Sequence, residues 1–158
     1  MKGKTVVITG ATSGIGGIAA LTLAKMGARI VVVARNSDMK RVATEIADQE
    51  PRIDVLINNA GAIFSTRQLT EDDLERTFAV NHMAYFVVTA GLRERLLASG
   101  SARIVNTASE AHRSATLDFE NLQLATGYGA VKAYNRSKLL NAVSRRPGQS
   151  RNWIAALW

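Results

Sequence analysis

Short apolar runs rich in β-branched residues alternate along this chain with longer stretches whose apolar positions recur every three or four residues. That alternation predicts strands and helices in turn, the pattern of a parallel sheet covered by helices. The first run is Thr5-Val6-Val7-Ile8-Thr9, and a helix is expected from about Ser13 to Met26, stopped by Gly27. The second run is Arg29-Ile30-Val31-Val32-Val33. Ser37 can cap the next helix, whose stripe is Met39, Val42 and Ile46 and whose end is marked by Pro51. The third run is Ile53-Asp54-Val55-Leu56-Ile57. The longest helix follows, with Thr70 as cap, Asp73 as its capping-box partner and Gly100 as its stop. Its stripe reads Leu74, Phe78, Asn81, Tyr85, Val88, Leu92, Leu96, a single face throughout. The fourth run is Arg103-Ile104-Val105-Asn106-Thr107, and a last helix is expected from about Ala130 to Arg145, stopped by Pro147.

Right-handed crossovers put the second strand on one side of the first, and the third and fourth on the other. The fold class expected is therefore α/β, a Rossmann-like doubly wound parallel sheet reduced to about four strands. The strand order reverses beside the first strand, and ligands of such sheets bind there, at the C-terminal strand ends. A chain of 158 residues is long enough for one core and too short for two.

Composition narrows the chemistry. There is no cysteine, so disulfides and thiolate metal sites are excluded, and two histidines, His82 and His112, are too few for a histidine-rich site; no metal is expected. The apolar stretch from Ala84 to Leu92 is too short to span a bilayer, and the run behind Met1-Lys2-Gly3-Lys4 reads as a strand and not a signal peptide. The expectation is a cytoplasmic protein with no membrane partner. The net charge of +7 raises a nucleic-acid module as one reading, but the arginines are scattered from Arg29 to Arg151. A solvated basic surface accounts for them, and such a surface also suits an anionic small ligand.

The first strand ends in Thr9-Gly10-Ala11-Thr12-Ser13-Gly14-Ile15-Gly16. A strand, a glycine turn and a helix in that order let the backbone approach a pyrophosphate, whose charge sits at the helix N-terminus. The spacing is G-x-x-x-G-x-G, and no G-K-[ST] follows to make a P-loop. Gly10, Thr12, Ser13, Gly14, Ile15 and Gly16 are the candidate cradle. After the second strand, Arg35 and Asn36 stand where an acid would accept the ribose 2′-hydroxyl of NAD; an arginine there suits the 2′-phosphate of NADP. Asn58-Asn59-Ala60-Gly61 closes the third strand with small and amide residues that can pack under a ligand. Asn81, on an apolar stripe, needs partners if buried, either from helix packing or from a polar site. Ser109 follows the fourth strand. Tyr134 and Lys138 stand at i and i+4, where an ammonium favours the phenolate and suits the tyrosine to proton exchange. Tyr128 and Lys132 have the same spacing, so spacing leaves two registers open.

Together and in order, these pieces resemble the short-chain dehydrogenase/reductase family, in its retinol-dehydrogenase-like subgroup. The match rests on Gly10, Gly14 and Gly16; Asn58 to Gly61; Val80-Asn81-His82; Ser109 to His112; and Tyr134 to Lys138, followed by Leu139. It covers roughly residues 4 to 142, and it favours Tyr134 over Tyr128. The resemblance implies an oxidoreductase that interconverts an alcohol and a carbonyl. Tyr134 would be the acid or base, and Lys138 would tune it and hold the nicotinamide ribose. Ser109 would bond the substrate oxygen, and Asn81 would support a proton-relaying water. Gly10 to Gly16 would cradle the pyrophosphate of NADP, or of NAD. Asn59, Ala60 and Gly61 would lie on the adenosine side.

Two departures from the family are plain. A helix and a strand normally following the second strand have no room here, because Asn36 leads almost at once into the helix before Pro51. Beyond about Asn141 the resemblance ends, and residues 143–158 read as a divergent tail of a single dinucleotide-binding domain spanning 1–158. The apolar end, Trp153 to Trp158, is expected to cover the edge of the fourth strand or to mediate self-association. Three readings follow: an NADP-preferring oxidoreductase acting on a small alcohol or carbonyl; a shortened, weak or inactive dinucleotide binder; and, remotely, a nucleic-acid module. A homo-oligomer is compatible with each.

Overall fold

β1 (Thr5–Thr9) is flanked by a strand on each side and packed by helices on both faces of the sheet, and Val6, Val7 and Ile8 are fully enclosed. The computed structural model describes residues 1–34, 38–144 and 153–156. Around β1 lie β2 (Arg29–Val33), β3 (Val55–Asn58), β4 (Arg103–Thr107) and β5 (Trp153–Ala156), in the order β2-β1-β3-β4-β5. Every neighbouring pair is parallel. The order reverses between β2 and β3, as expected, and the four expected strands are joined by a fifth.

That fifth strand comes from the C-terminal tail. Ile104 to Thr107 pair in register with Trp153 to Ala156, so the backbone edge of β4 is covered. Truncation before residue 149 should therefore leave β4 as an open edge. The expected result is loss of soluble protein, or a lower Tm, in expression and thermal-melt comparisons; unchanged solubility and Tm would show that β5 contributes nothing.

The crossover from β1 to β2 runs opposite to all later ones, so α1 (Gly14–Lys25) lies on one face of the sheet and the remaining helices lie on the other. On that second face α2 (Met39–Gln49) brings Ala43 and Ile46 onto Val7, Val33, Leu56 and Ile104, together with Val88, Leu92 and Leu96 from the long helical region. Helices approach closely there because Gly91 has no side chain: a Cβ on it would stand 2.6 Å from that of Ala43.

Three helix boundaries differ from the sequence expectation. The cap of α2 is Asp38, whose carboxylate accepts the Arg41 amide at 2.9 Å; Ser37 lies outside the described residues. The long helix does not begin at Thr70. The Thr70 hydroxyl accepts from the Leu74 amide, but Asp73 adopts φ 57°, which breaks a helical path. Glu75 caps α3 (Arg76–Phe78) instead, taking the amides of Thr77 and Phe78, each at 2.8 Å. The region is also not one continuous helix. A π-helical turn, Ala79–Met83, joins α3 to α4 (Ala84–Gly91), and Leu92, with ψ 5°, separates α4 from α5 (Arg93–Leu97). The last helix, α6 (Ala130–Val143), ends within two residues of expectation, while Arg145 and Pro147 lie outside the described residues.

Candidate active site

The glycine turn sits where β1 ends, and each glycine is there for its own reason. Gly10 has φ 67°, and a Cβ on it would stand 2.7 Å from the Ala60 Cα. A Cβ on Gly16 would meet the Gly10 carbonyl oxygen and the Asn59 Nδ2, each at 2.4 Å. Gly14 has φ 57° and open space beside it. The turn is thus packed tightly on its inner side and open on its outer side. At the open side α1 begins, with Ser13 as N-cap making no side-chain capping bond and with no acid in the first turn. Thr12, Ser13, Gly14 and Ile15 are exposed there. Uncapped amides and no competing carboxylate fit an anionic group such as a pyrophosphate.

The end of β3 braces this turn. The Asn59 side-chain amide donates to the carbonyls of Thr9 and Gly10, at 3.0 and 3.1 Å. The Thr9 hydroxyl accepts the amides of Asn59 and Ala60, both at 3.0 Å. Tyr85, on α4, donates its hydroxyl to the Ala60 carbonyl at 2.7 Å. Its proton is held well above the ordinary range, first by burial and then by the nearby Tyr134. Neither Thr9 nor Tyr85 stands out in the sequence, where one reads as strand and the other as part of an apolar stripe. A hydroxyl at a strand end facing a glycine turn was the available signal.

Asn81 is completely buried in the π-helical turn, and its side chain is fully satisfied. It accepts from the Ala62 amide at 2.8 Å and donates to the Ala62 carbonyl at 2.8 Å and to the Ser137 hydroxyl at 3.0 Å. It therefore ties the loop segment after Gly61 to α6, and its burial leaves no polar atom without a partner. Its own carbonyl accepts from Asn141 at 2.8 Å, and Asn141 in turn pairs with the His82 ring at 2.9 Å. Asn141 carries no motif signal in the sequence, although it lies three residues past Lys138 on the same helical face.

Tyr134 and Lys138 both lie in α6, while Tyr128 precedes the helix and donates its hydroxyl to the Phe64 carbonyl at 2.8 Å. The two registers that spacing left open are thus different in kind. Lys138 is only 3% exposed; its Nζ donates to the Thr107 carbonyl at 3.0 Å and lies 5.6 Å from the Tyr134 ring centre. A Cβ on Gly61 would come within 3.4 Å of that Nζ. So Lys138 is held among the ends of β3 and β4 and the Tyr134 ring. Ser109 caps a 3₁₀ turn, Glu110–Ser114, accepting the Ala111 amide at 3.3 Å. That turn packs on α6 and is joined to it by a bond from Asn135 to Ser114 at 2.8 Å. Arg35 and Asn36 lie outside the described residues. Among the described residues there is no cluster of metal-ligating side chains, and no helix long and apolar enough to cross a membrane.

Burial lowers the Lys138 pKa from its ordinary value to about 8. In the unfolded chain the same group stays protonated to about 10.4. Between those values the unfolded state binds more protons, so stability should rise as pH increases from about 8 towards 10. Below pH 8 the folded protein carries a buried ammonium at a cost. Lys138→Met should therefore raise Tm at pH 7 and change it much less at pH 10, in thermal melts with no nucleotide present; an equal effect at both values would rule out a titrating Lys138.

A family model described as short chain dehydrogenase matches residues 4–51 and 36–133. DnrU of Streptomyces sp. (strain C5), named for daunorubicin C-13 ketoreduction, is 36% identical over 97% of this chain and 62% of its own length. Human retinol dehydrogenase 13 is 34% identical over 88% of this chain and 51% of its own length. A solved Mycobacterium paratuberculosis structure superposes with a TM-score of 0.78 at 32% identity, covering 89% of this chain and 59% of that one. A Shigella flexneri short chain dehydrogenase solved with NADP has a TM-score of 0.66 at 24% identity, a likeness of fold, over 88% of this chain and 67% of its own. The chain spans about half to three fifths of the length of the curated relatives it matches.

Proposed function

This chain belongs to the short-chain dehydrogenase family, and on that footing we propose that it is an oxidoreductase interconverting an alcohol and a carbonyl with a nicotinamide dinucleotide, NADP in preference to NAD. The observation that carries the reading is the convergence of the open glycine turn with Tyr134 and Lys138 at the C-terminal strand ends. Gly10 to Gly16 and the N-terminus of α1 would hold the pyrophosphate, and Asn59 would keep the turn in shape. Ala60 and Gly61 would border the nucleotide, and Arg35 and Asn36, which follow β2 in the sequence, are assigned to its ribose and 2′-phosphate. The bound dinucleotide supplies or accepts the hydride. Tyr134 gives a proton to the carbonyl oxygen in reduction, and takes it back in oxidation. Lys138, buried beside the Tyr134 ring, would hold the nicotinamide ribose. Ser109 orients the substrate oxygen. Asn81, with its side chain occupied, acts by holding Ala62 and Ser137 in place around Lys138.

The chain acts as one dinucleotide-binding domain in this reading. A fluorescence titration with NADPH and with NADH tests it: saturable binding, tighter for NADPH, is expected, and no binding of either would overturn it. Arg35→Asp should move the preference towards NADH, by removing the cation for the 2′-phosphate and supplying an acceptor for the 2′-hydroxyl. An unchanged preference would place the reading of the phosphate elsewhere. One observation favours a second reading, a binder of dinucleotide with little or no turnover: the alignment with DnrU runs over 183 residues, more than the whole chain contains. Relatives therefore carry segments that have no counterpart here. Saturable binding without turnover of any carbonyl tested would select that reading.

A further inference from the structure

β2 is the last strand on its side of the sheet, and among the described residues nothing pairs with its outer edge. The bonds that define its inner edge also define which groups are left over. The Arg29 amide donates to the Lys4 carbonyl at 2.9 Å, and the Val33 carbonyl accepts from Gly10 at 3.0 Å. In a strand, the N–H and C=O of one residue point to one side and those of the next point to the other. Arg29, Val31 and Val33 therefore face β1, and Ile30 and Val32 turn both backbone groups outward.

Edges of this kind are normally blunted by a charge, a proline, a bulge or a covering element. Among the described residues, none of these protects the outward groups of β2. The strand reads Arg29-Ile30-Val31-Val32-Val33, and its one charge is engaged with Glu50, at 2.7 Å between Nη2 and Oε1. Val31 and Val33 belong to the face that packs on α2. Ile30 and Val32 lie on the opposite face, the side of α1, and Val32 is 48% exposed. α1 leaves Ile18 and Leu21 exposed on that side too.

We propose that the outer edge of β2 is a self-association site, where a second copy of this chain pairs antiparallel through Ile30 and Val32. The edge is self-complementary. A two-fold axis through Val31 sets Ile30 of one copy opposite Val32 of the other, so that the outward groups of one residue meet those of its partner. Cross-strand contacts are then Ile with Val, and Val31 with its own copy, both favourable pairings. No like charges face each other, because Arg29 falls opposite Val33 and is already neutralised by Glu50. The net charge of +7 opposes association in general, but it is not concentrated on this strand. The two sheets would merge into one, with both copies of α1 on the same face.

The test is sedimentation of the whole chain over a range of concentrations, with three variants beside it. Val32→Lys places a charge on the edge, and Val32→Pro removes an outward N–H without touching the ladder to β1. Phe86→Arg, on the exposed side of α4, is the control for association through the helices. A dimer whose dissociation constant rises about tenfold or more in both Val32 variants, and holds in Phe86→Arg, is the expected result. The wild-type amides of Ile30 and Val32 should also exchange more slowly as concentration rises, a readout that needs no variant to fold. A monomer at every concentration would overturn the proposal. So would a dimer that survives both Val32 changes, and loss in Phe86→Arg would assign the contact to the helical face. None of these outcomes depends on nucleotide binding or turnover.

Discussion

Tyr134→Phe is expected to lower carbonyl reduction by about 10²–10⁴-fold while leaving NADPH affinity nearly unchanged. The substitution keeps the ring that packs 5.6 Å from the Lys138 ammonium and deletes only the hydroxyl. Two other tyrosines are present, and neither can replace it. The Tyr85 hydroxyl is bonded to the Ala60 carbonyl, and burial raises the cost of ionising it. The Tyr128 hydroxyl is bonded to the Phe64 carbonyl outside α6. Steady-state reduction of a panel of carbonyls, with nucleotide binding measured separately, distinguishes the outcomes. A fall of less than tenfold would mean that the proton comes from elsewhere. A parallel loss of NADPH affinity would mean that Tyr134 holds the nucleotide and says little about proton transfer.

Gly16→Ala should abolish saturable NADPH binding and lower stability by about 1–3 kcal/mol. Its Cβ would stand 2.4 Å from the Gly10 carbonyl oxygen and from the Asn59 amide nitrogen, and the first of these is backbone. The turn would have to open, and Asn59 would lose its bonds to Thr9 and Gly10. Gly14→Ala provides the contrast. It meets no atom within 4 Å, so its stability cost is conformational, about 1–2 kcal/mol for holding φ near 57°. Urea melts and nucleotide titrations of the two variants should thus separate a steric lesion from a torsional one. Saturable NADPH binding that survives in Gly16→Ala would show that the turn yields easily at Gly16.

Much of the architecture is legible in the sequence because it is written in local periods. Alternating apolar runs announced β1 to β4, and the handedness of crossovers placed them in order. The pair Tyr134 and Lys138 was readable for the same reason, since i and i+4 on one helix share a face whatever surrounds them. Family resemblance was needed to choose between that pair and Tyr128 with Lys132, because spacing is identical in both and only one pair lies inside α6.

What the sequence by itself determined, then, is the order of the strands, the glycine turn that ends β1, and the helical face carrying Tyr134 and Lys138. Tertiary structure decided the rest. Thr70 and Asp73 look like a capping box, yet the helix starts at Glu75, whose amide donates to the distant Gln123. Asn81 reads as one member of an apolar stripe, yet a π-helical turn and the Ala62 backbone determine what it does. The apolar tail after α6 is expected from its sequence either to cover the edge of the fourth strand or to mediate self-association, and the fold selects the first by pairing it in parallel with β4. Each of these outcomes depends on hydrogen bonds between residues far apart in the chain. A local pattern shows that a polar group needs a partner, and only the fold decides which partner arrives.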